Sequence, residues 1–374
     1  MDLNRPRVAA WALLLMACSV PAFDYAMGAA GPPNRDLLAE RLQAHLSIVT
    51  FDDTALSPYR YRVLAPLVIH AVTLPISRFV AYNRAFEVVS GLFYAGALLF
   101  LLVTLKRYLE LWFQPVQALA GTLATAATLP IVLRQHIYTP WSWLEPPLLL
   151  LGLVWIVERR TMPVVLLTIV ATLNRETGVL IPIAWLIDAL AARPRFGRET
   201  TRALASVGAS LAIVLGLHLA IGPGPSAATL AHIWSVNSSG YGFLKAIVNA
   251  TLFLGGAGWI LAAYGFRRAP VFVRRLGWFA AVYVPVYLVG GIWYEVRLLM
   301  PLYPVLVPAA LAAVYEPSRL PRRAGAGGAQ EELLVHGTDA PPIEVARAGT
   351  ATRGEVAAPR RVAEQGLHRV GERR

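Results

Sequence analysis

The sequence predicts an all-α fold: a polytopic membrane bundle of about ten transmembrane helices with a long first loop on the outer side. Two observations lead to this prediction. Of the 374 residues, 56% are hydrophobic and only 15% are charged, whereas a soluble domain carries about 25% charged residues. In addition, apolar runs of helix length recur along the chain, separated by polar or basic connections.

Most predicted spans are single apolar runs, with one exception. The exception is a pair of shorter runs, 162–172 and 179–190, which we expect to form a helical hairpin. Each arm has about 12 residues, or about 18 Å of helix, whereas a bilayer core is ~30 Å thick. The remaining spans are 8–23, 85–105, 115–133, 141–157, 203–221, 244–264, 276–292 and 298–314. The first of these could instead be a secretory signal.

The long first loop covers residues 24–83, and we call it the outer loop after the side on which we expect it. Within it, 36–48 has the spacing of a short amphipathic helix. The run 63–75 is apolar but short, and it contains Pro66 and Pro75. We therefore expect it to lie in the membrane interface or to re-enter the membrane. The sequence leaves open whether this run crosses.

Basic residues set the expected orientation. If 63–75 does not cross, the connections on one side hold about twelve Lys or Arg residues and those on the other side beyond residue 84 hold about four. The positive-inside rule then places the basic connections and both termini in the cytoplasm. If 63–75 crosses, every later assignment inverts and the rule is broken. We expect a multi-pass protein of a bacterial inner membrane.

The chain divides into a helical bundle, 1–316, which includes the loop 24–83, and a tail, 317–374. The tail has no aromatic residue and is rich in Ala, Gly, Pro, Arg and Glu. Such a composition predicts a disordered basic cytoplasmic tail. The single cysteine, Cys18, excludes an internal disulfide and a multi-cysteine metal site.

The tip of the predicted hairpin carries two charged residues, Arg175 and Glu176. Because the arms are short, the tip should lie below the membrane surface. Ionisable groups at that depth are costly unless they pair or face a wet cavity. We therefore predict that both side chains face a water-filled, substrate-binding cleft. The alternative is an Arg175–Glu176 ion pair that only locks the hairpin.

Under this topology, the unusual polar residues all fall on the outer side. The group consists of Asp52, Asp53, Arg60, Arg62, Arg134, His136, Glu145, Arg175, Glu176, Glu295 and Arg297. A transporter would more naturally place ionisable groups near the midplane of repeat-related, discontinuous helices. An enzyme that acts on a lipid-linked phosphate needs arginines for the phosphate and a carboxylate that accepts a proton. The one-sided distribution favours such an enzyme.

Several short strings support a family resemblance. They are Tyr-Arg-Tyr-Arg-Val-Leu-Ala-Pro at 59–66, Asn-Arg-Glu-Thr at 174–177, and Glu-Val-Arg at 295–297 followed by three prolines. Together with the outer loop and the bundle of about ten helices, they resemble the GT-C superfamily of membrane glycosyltransferases and its bacterial relatives. The resemblance covers about residues 8–315.

The resemblance implies that a sugar moves from a polyprenyl-phosphate donor to a glycan, lipid or protein acceptor, with membrane lipids and no nucleic acid as further partners. A first-loop carboxylate would be the base, here Asp52 or Asp53, although Asp24 lies nearer the usual position. The implied substrate-binding residues are Arg60, Arg62, Arg175, Glu176, Glu295 and Arg297. No cofactor is implied, and no ligand spacing supports a divalent cation.

The other candidates have simpler explanations. Arg134 and His136 would cap a helix end, and Glu145 lies among tryptophans that are typical of an interfacial belt. His70 and His218 would be packed core residues. Two other functions remain open: a transporter or lipid flippase, and a non-catalytic scaffold whose polar residues would scatter in space. The sequence names neither the sugar nor the acceptor.

Overall fold

The computed structural model describes residues 13–14, 16–18, 35–132, 138–192, 197–226 and 229–318. These residues belong to one compact unit, Met1–Ala324. Most of the predicted first span lies outside the described ranges, as do Asp24, Arg134, His136 and the tail from residue 319.

Within the described ranges the regular elements are helices, and the only β-pairing is an isolated parallel bridge between Ser57 and Ser226. The α-helices are α1 (Arg35–Val49), α2 (Leu64–Ile76), α3 (Tyr82–Glu110), α4 (Pro115–Val132), α5 (Pro140–Val157), α6 (Thr161–Asn174), α7 (Leu180–Ala192), α8 (Arg198–Ile221), α9 (Leu230–Ser238), α10 (Gly240–Leu252), α11 (Ala257–Gly265), α12 (Val271–Arg275), α13 (Gly277–Gly290) and α14 (Tyr303–Val314). Short 3₁₀ helices lie at Tyr59–Tyr61, Glu176–Val179, Phe266–Arg268 and Val296–Leu302.

Five helical segments among the described residues are long and apolar enough to cross a membrane. A sixth is added if one bent helix pair counts as a single span. The five are Tyr82–Glu110, Pro140–Val157, Arg198–Ile221, Val271–Gly290 and Val296–Val314. This indicates a multi-pass membrane protein. The predicted count of about ten stays a prediction.

The predicted hairpin forms, and the run at 63–75 forms a helix. α6 and α7 are the two arms of the hairpin, with its tip at 175–179. α2 has 13 residues, or about 20 Å of helix, which is too short to cross a bilayer core. One face of α2 packs inward through Ile69 and Thr73, while Val72 and Leu74 on the other are about half exposed.

The region 222–264 differs from its prediction as one loop followed by one span. Residues 230–238 form α9, because Thr229 caps its first turn by accepting a hydrogen bond from the His232 amide. The predicted span 244–264 is broken, since α10 and the segment Ala257–Arg268 meet at a bend of 61°. Gly255 and Gly256 at the break have φ angles of +64° and +69°, which glycine adopts readily.

The core is centred on α3, α5 and α14. Leu102, Leu105 and Tyr108 of α3 are completely buried, and the Tyr108 hydroxyl donates to the Pro304 carbonyl at 3.0 Å. A smaller core lies beneath α1 and α2, where Ile69, Phe86, Tyr138 and Trp141 pack together. This second core supports the outer loop against the start of α5, where the candidate site lies.

Candidate functional site

The tip of the α6–α7 hairpin is fixed against the start of α5. Asn174 at the end of α6 donates through its side-chain amide to the Trp141 carbonyl at 2.9 Å. Arg175 then takes an extended conformation, with φ −163° and ψ 148°. Gly178 lies so close to α6 that a Cβ atom there would be 2.3 Å from the Thr172 amide nitrogen. The tight turn therefore requires glycine at this position.

Arg175 pairs with Glu145 rather than with its neighbour Glu176. The Arg175 guanidinium donates through Nη1 to Oε2 of Glu145, and the Thr177 hydroxyl donates to the other carboxylate oxygen. Arg175 is 8% exposed and Glu145 is 7% exposed. The alternative, a locking pair between Arg175 and Glu176, is therefore wrong in its partner, because Arg175 pairs with a glutamate in the second turn of α5.

Glu176 instead binds Arg62 from the outer loop. Nε of Arg62 lies 3.0 Å from Oε2 and 3.3 Å from Oε1 of the carboxylate. The same guanidinium lies over the Tyr59 ring at 5.3 Å and over the Trp141 ring at 5.5 Å. Burial and, next, the nearby positive charge of Arg175 lower the pKa of Arg62 to about 10. Arg62 is therefore a desolvated cation with one carboxylate partner and two aromatic neighbours.

A third arginine reaches the start of α5 from the 3₁₀ helix at 296–302. Arg297 donates through Nη1 to the Thr139 hydroxyl at 2.6 Å. Thr139 is the residue that precedes the first turn of α5. The other terminal nitrogen of Arg297 donates to Glu295 at 2.9 Å. Residues 295–297 are thereby attached to the same helix end as the hairpin tip.

These contacts bring together five of the sequence-predicted site residues and add Glu145. We call the group the arginine cluster, defined as Arg62, Glu145, Arg175, Glu176, Glu295 and Arg297. Its members come from the outer loop, α5, the hairpin tip and the segment before α14. The spatial scatter expected of a mere scaffold is therefore absent from Arg62, Glu145, Arg175 and Glu176, and the Glu295–Arg297 pair joins them through Thr139 at the start of α5.

A second set of ion pairs lies at the opposite end of α5. Glu158 pairs with Arg107 at 2.9 Å and with Arg160 at 2.8 Å. Asp188 at the end of α7 binds Arg275 at 2.7 Å. α5 has 18 residues, so about 27 Å of helix separates the two sets. The arginine cluster is thus confined to one end of the bundle.

Several buried polar atoms around the arginine cluster have no hydrogen-bond partner among the described residues. They are Nε of Arg175, Nε of Arg297, Nε1 of Trp141 and Oδ1 of Asn174. Buried polar groups usually have partners. A cavity of about 10 Å³ borders Glu145, Thr177 and Gly178, which is space for about one water molecule. At Glu145 the predicted wet cleft is therefore closed to a sugar.

Arg60 is bound to the loop that follows α8. Its terminal nitrogens donate to the carbonyls of Pro223 at 2.8 Å and Ile221 at 3.1 Å. Ile221 is the last residue of α8, so the cation lies at the negative end of the helix dipole. Arg60 is 1% exposed, and Gly224 packs directly on it. These contacts give Arg60 a structural role as a helix cap.

Asp52 and Asp53 lie in an exposed turn beside Arg60. Asp52 accepts the Thr54 backbone N–H at 2.8 Å, and this hydrogen bond lowers the pKa of its carboxyl group. Asp53 lies 3.6 Å from Arg60. Within the described part of the chain, neither carboxylate hydrogen-bonds or ion-pairs with a member of the arginine cluster. The structure therefore brings the candidate bases to Arg60.

The remaining predictions have mixed outcomes. His218 stacks on Tyr61 at 3.7 Å between ring centroids, as expected of a packed residue. Trp141 and Trp143 do not form an interfacial belt, since they are 1% and 6% exposed. Trp141 instead stacks on Tyr59 at 5.4 Å. It lies at the centre of the site because the hairpin tip and the outer loop both pack on it.

Glu145 was grouped with the outer-side polar residues but was not assigned to the substrate-binding set. Its signal was a carboxylate one turn inside an apolar helix, where an unpaired charge is costly. No group of three or more potential metal ligands occurs in the ranges that the structure describes. Comparisons with protein-family models, with curated proteins and with solved structures find no match to this chain.

Proposed function

We propose that this protein is a membrane glycosyltransferase that moves a sugar from a polyprenyl-phosphate donor to an acceptor at the outer face. One observation carries the proposal: Arg62, Arg175 and Arg297, from three separate segments, meet at one end of α5. Arginine suits phosphate because its planar fork can donate two hydrogen bonds at once. The expected topology has both termini in the cytoplasm, and it puts that end of α5 on the outer side.

The proposed reaction is a single displacement. An acceptor hydroxyl oxygen forms a bond to the anomeric carbon of the sugar, and the bond between that carbon and the phosphate oxygen breaks. The hydroxyl proton passes to a carboxylate, and polyprenyl phosphate leaves with the bonding electrons. Arginines stabilise the negative charge that develops on the leaving phosphate. No metal ion is required for this balance.

In this mechanism Arg175 and Arg297 contact the phosphate through their unpartnered Nε–H groups, and Arg62 adds charge. Glu295 orients Arg297. Because these guanidinium groups are buried and paired, the phosphate enters only when the ion pairs open. The base is Asp52 or Asp53, which is exposed to an incoming acceptor. Glu176 is the competing base, since its side chain is 29% exposed and closer to Arg62.

The alternative is a transporter or lipid flippase. The observation that favours it is the 61° break between α10 and α11, because discontinuous helices form the substrate sites of many transporters. A transporter would open its site alternately to both sides of the membrane. Accessibility of the arginine cluster from the cytoplasmic side during turnover would support this alternative and contradict the enzyme.

The test is transfer of a labelled sugar from polyprenyl phosphate by the purified full chain in lipid nanodiscs. Arg175→Ala should abolish transfer, whereas Arg202→Ala should not. Arg202 is a control arginine outside the arginine cluster, since it is half exposed and lies near the start of α8. An Asp52→Asn/Asp53→Asn double variant and Glu176→Gln identify the base. Full transfer by Arg175→Ala would overturn the mechanism, and no transfer by the wild type with any donor would overturn the function.

A further inference from the structure

We infer that Asn237 of α9 is a positioning residue for Arg297. Its side chain binds the backbone of the loop 291–295, which ends at Glu295, two residues before Arg297. The inference rests on the proposed function for its importance to catalysis, but the contacts that carry it are independent of any reaction. Asn237 itself lies outside the arginine cluster.

Asn237 makes two hydrogen bonds to the backbone of this loop. Its Nδ2 donates to the Gly291 carbonyl at 2.9 Å, and its Oδ1 accepts the Trp293 amide N–H at 2.9 Å. Asn237 is 1% exposed. Buried backbone donors and acceptors require partners, and here one side-chain amide satisfies one of each kind. An aspartate could keep only the bond from Trp293.

Helices α9, α10 and α13 also contact this loop. From α13, the Tyr287 hydroxyl donates to the Trp293 carbonyl at 2.6 Å, and the Trp293 indole N–H donates to the Leu288 carbonyl at 2.8 Å. Asn249 donates to the Tyr294 carbonyl at 2.9 Å. The Lys245 amine lies 4.4 Å from the Tyr294 ring centroid. Trp234 packs edge-on against Trp293 at 6.0 Å. The loop is thus held from one side by the corner between α9 and α10.

The corner between α9 and α10 is closely packed. The Ser239 hydroxyl caps α10 by accepting the Gly242 N–H at 3.0 Å. Gly242 lies so close to α9 that a Cβ atom there would be 2.1 Å from the Val236 carbonyl oxygen. A closely packed corner can hold a loop in place, because the loop cannot shift unless the two helices also move.

Glu295 connects the loop to the arginine cluster. Glu295 closes the loop through its N–H, which donates to the Ile292 carbonyl at 2.9 Å. Its carboxylate holds Arg297, and Arg297 reaches Thr139. Loss of the Asn237 bonds would free the backbone N–H of Trp293, two residues before Glu295, while its carbonyl and indole N–H stay bound to α13. The guanidinium of Arg297 would then lose its fixed position at the start of α5.

The experiment has one arm that is independent of function. Hydrogen–deuterium exchange of the full chain in nanodiscs is measured for the peptide that contains Trp293. Asn237→Ala should exchange the Trp293 amide about tenfold faster, as expected for the loss of a hydrogen bond. Asn237→Asp should stay nearer the wild type, because it keeps the acceptor. Ser235→Ala, on an exposed position of α9, is the control and should leave exchange unchanged.

The second arm measures sugar transfer by Asn237→Ala, Arg297→Gln and the double variant. If Asn237 acts through Arg297, the double variant transfers no more slowly than Arg297→Gln alone. Multiplied effects, or unchanged exchange in Asn237→Ala, would overturn the inference. If the wild type transfers no sugar, the proposed function fails instead. The coupling is then taken from unfolding temperatures of the same variants, where additive shifts overturn the inference and non-additive shifts support it.

Discussion

The guanidinium of Arg62 and the carboxylate of Glu176, 114 positions apart in the chain, form an ion pair that ties the outer loop to the hairpin tip. The pair lies beneath Tyr59 and Trp141, whose rings stack on each other. The Arg62 side chain is 10% exposed, while the Glu176 side chain is 29% exposed. The stability of the tip therefore depends on a segment that precedes it by three predicted spans and the first arm of the hairpin.

Removal of Glu176 should destabilise the protein more than removal of both partners. Glu176→Gln leaves the buried Arg62 cation without a counter-charge, at a cost of about 1–3 kcal/mol after allowance for the partial exposure of Glu176. Arg62→Gln/Glu176→Gln should recover part of that loss. The measurement is unfolding in detergent for the single and double variants. The exposed pair Arg84–Glu87 is the control, and equal coupling in the two pairs would refute the prediction.

Glu145→Gln should be among the most destabilising single changes at the site. It leaves Arg175 with a neutral partner in a buried environment, which costs about 3–5 kcal/mol. Glu110→Gln removes the partner of Lys106 in an i,i+4 pair that is partly exposed, and it should cost less than about 1 kcal/mol. Unfolding of both variants in the same detergent makes the comparison. Similar losses in the free energy of unfolding would contradict the prediction that Glu145 stabilises the fold more than Glu110 does.

Gly178→Ala should distort the hairpin tip. The added methyl group would overlap the backbone of Ala171 and Thr172, and such overpacking costs about 1–3 kcal/mol or more. Gly91→Ala on α3 is the matched control, since a Cβ atom there meets nothing within 4 Å. That change should be neutral or stabilising by up to about 1 kcal/mol. Thermal unfolding of the two variants tests the contrast, which disappears if the tip can relax.

The pH dependence of transfer can decide whether Asp52 is the base. The hydrogen bond from the Thr54 N–H favours the charged carboxylate, so the pKa of Asp52 lies below its usual 3.8. A base with a lowered pKa stays active above pH 3.8 and loses activity only as the pH falls through its own pKa. The acid limb of kcat/KM should therefore lie below pH 3.8. An acid limb at higher pH assigns the proton to another group.

The arginines of the site could be predicted from sequence because charge inside an apolar run is rare and costly. Arg175 met that criterion at the tip of a hairpin with short arms, whereas Arg297 was selected by the string Glu-Val-Arg at 295–297. The structure brings both to the start of α5. Their partners could not be predicted, since pairing depends on which helix ends meet. Glu145 seemed to belong to an interfacial tryptophan belt, but Trp141 proved to be buried between the outer loop and the hairpin tip.

The helices were predictable where periodicity and length agreed, as in α1, α2 and the hairpin. Prediction failed at 222–264, where the polar composition indicated a loop and the apolar composition a single span. The structure has α9 in the first part, and the second part bends at Gly255 and Gly256. Arg60 had the same sequence context as Arg62, yet its neighbour Gly224 and the end of α8 bind it as a cap.

The position of the site relative to the membrane gives the last prediction. α8 is a candidate span of 24 residues, or about 36 Å of helix. Arg202 lies near its start, whereas Asp53 and Arg60 lie beside its last residue, Ile221. If α8 crosses the membrane, positions 53 and 202 must be on opposite sides. The positive-inside rule further requires position 53 to be outside.

The single cysteine makes this test direct, because Cys18→Ala yields a cysteine-free background. Asp53→Cys in that background should react with a membrane-impermeant maleimide in intact cells. Arg202→Cys should react only after the cells are made permeable. Both side chains are exposed enough to label. Labelling of both positions from the same side would mean that α8 does not span. Labelling of position 202 alone from outside would invert the topology and place the arginine cluster in the cytoplasm, where an outer-face transferase could not work.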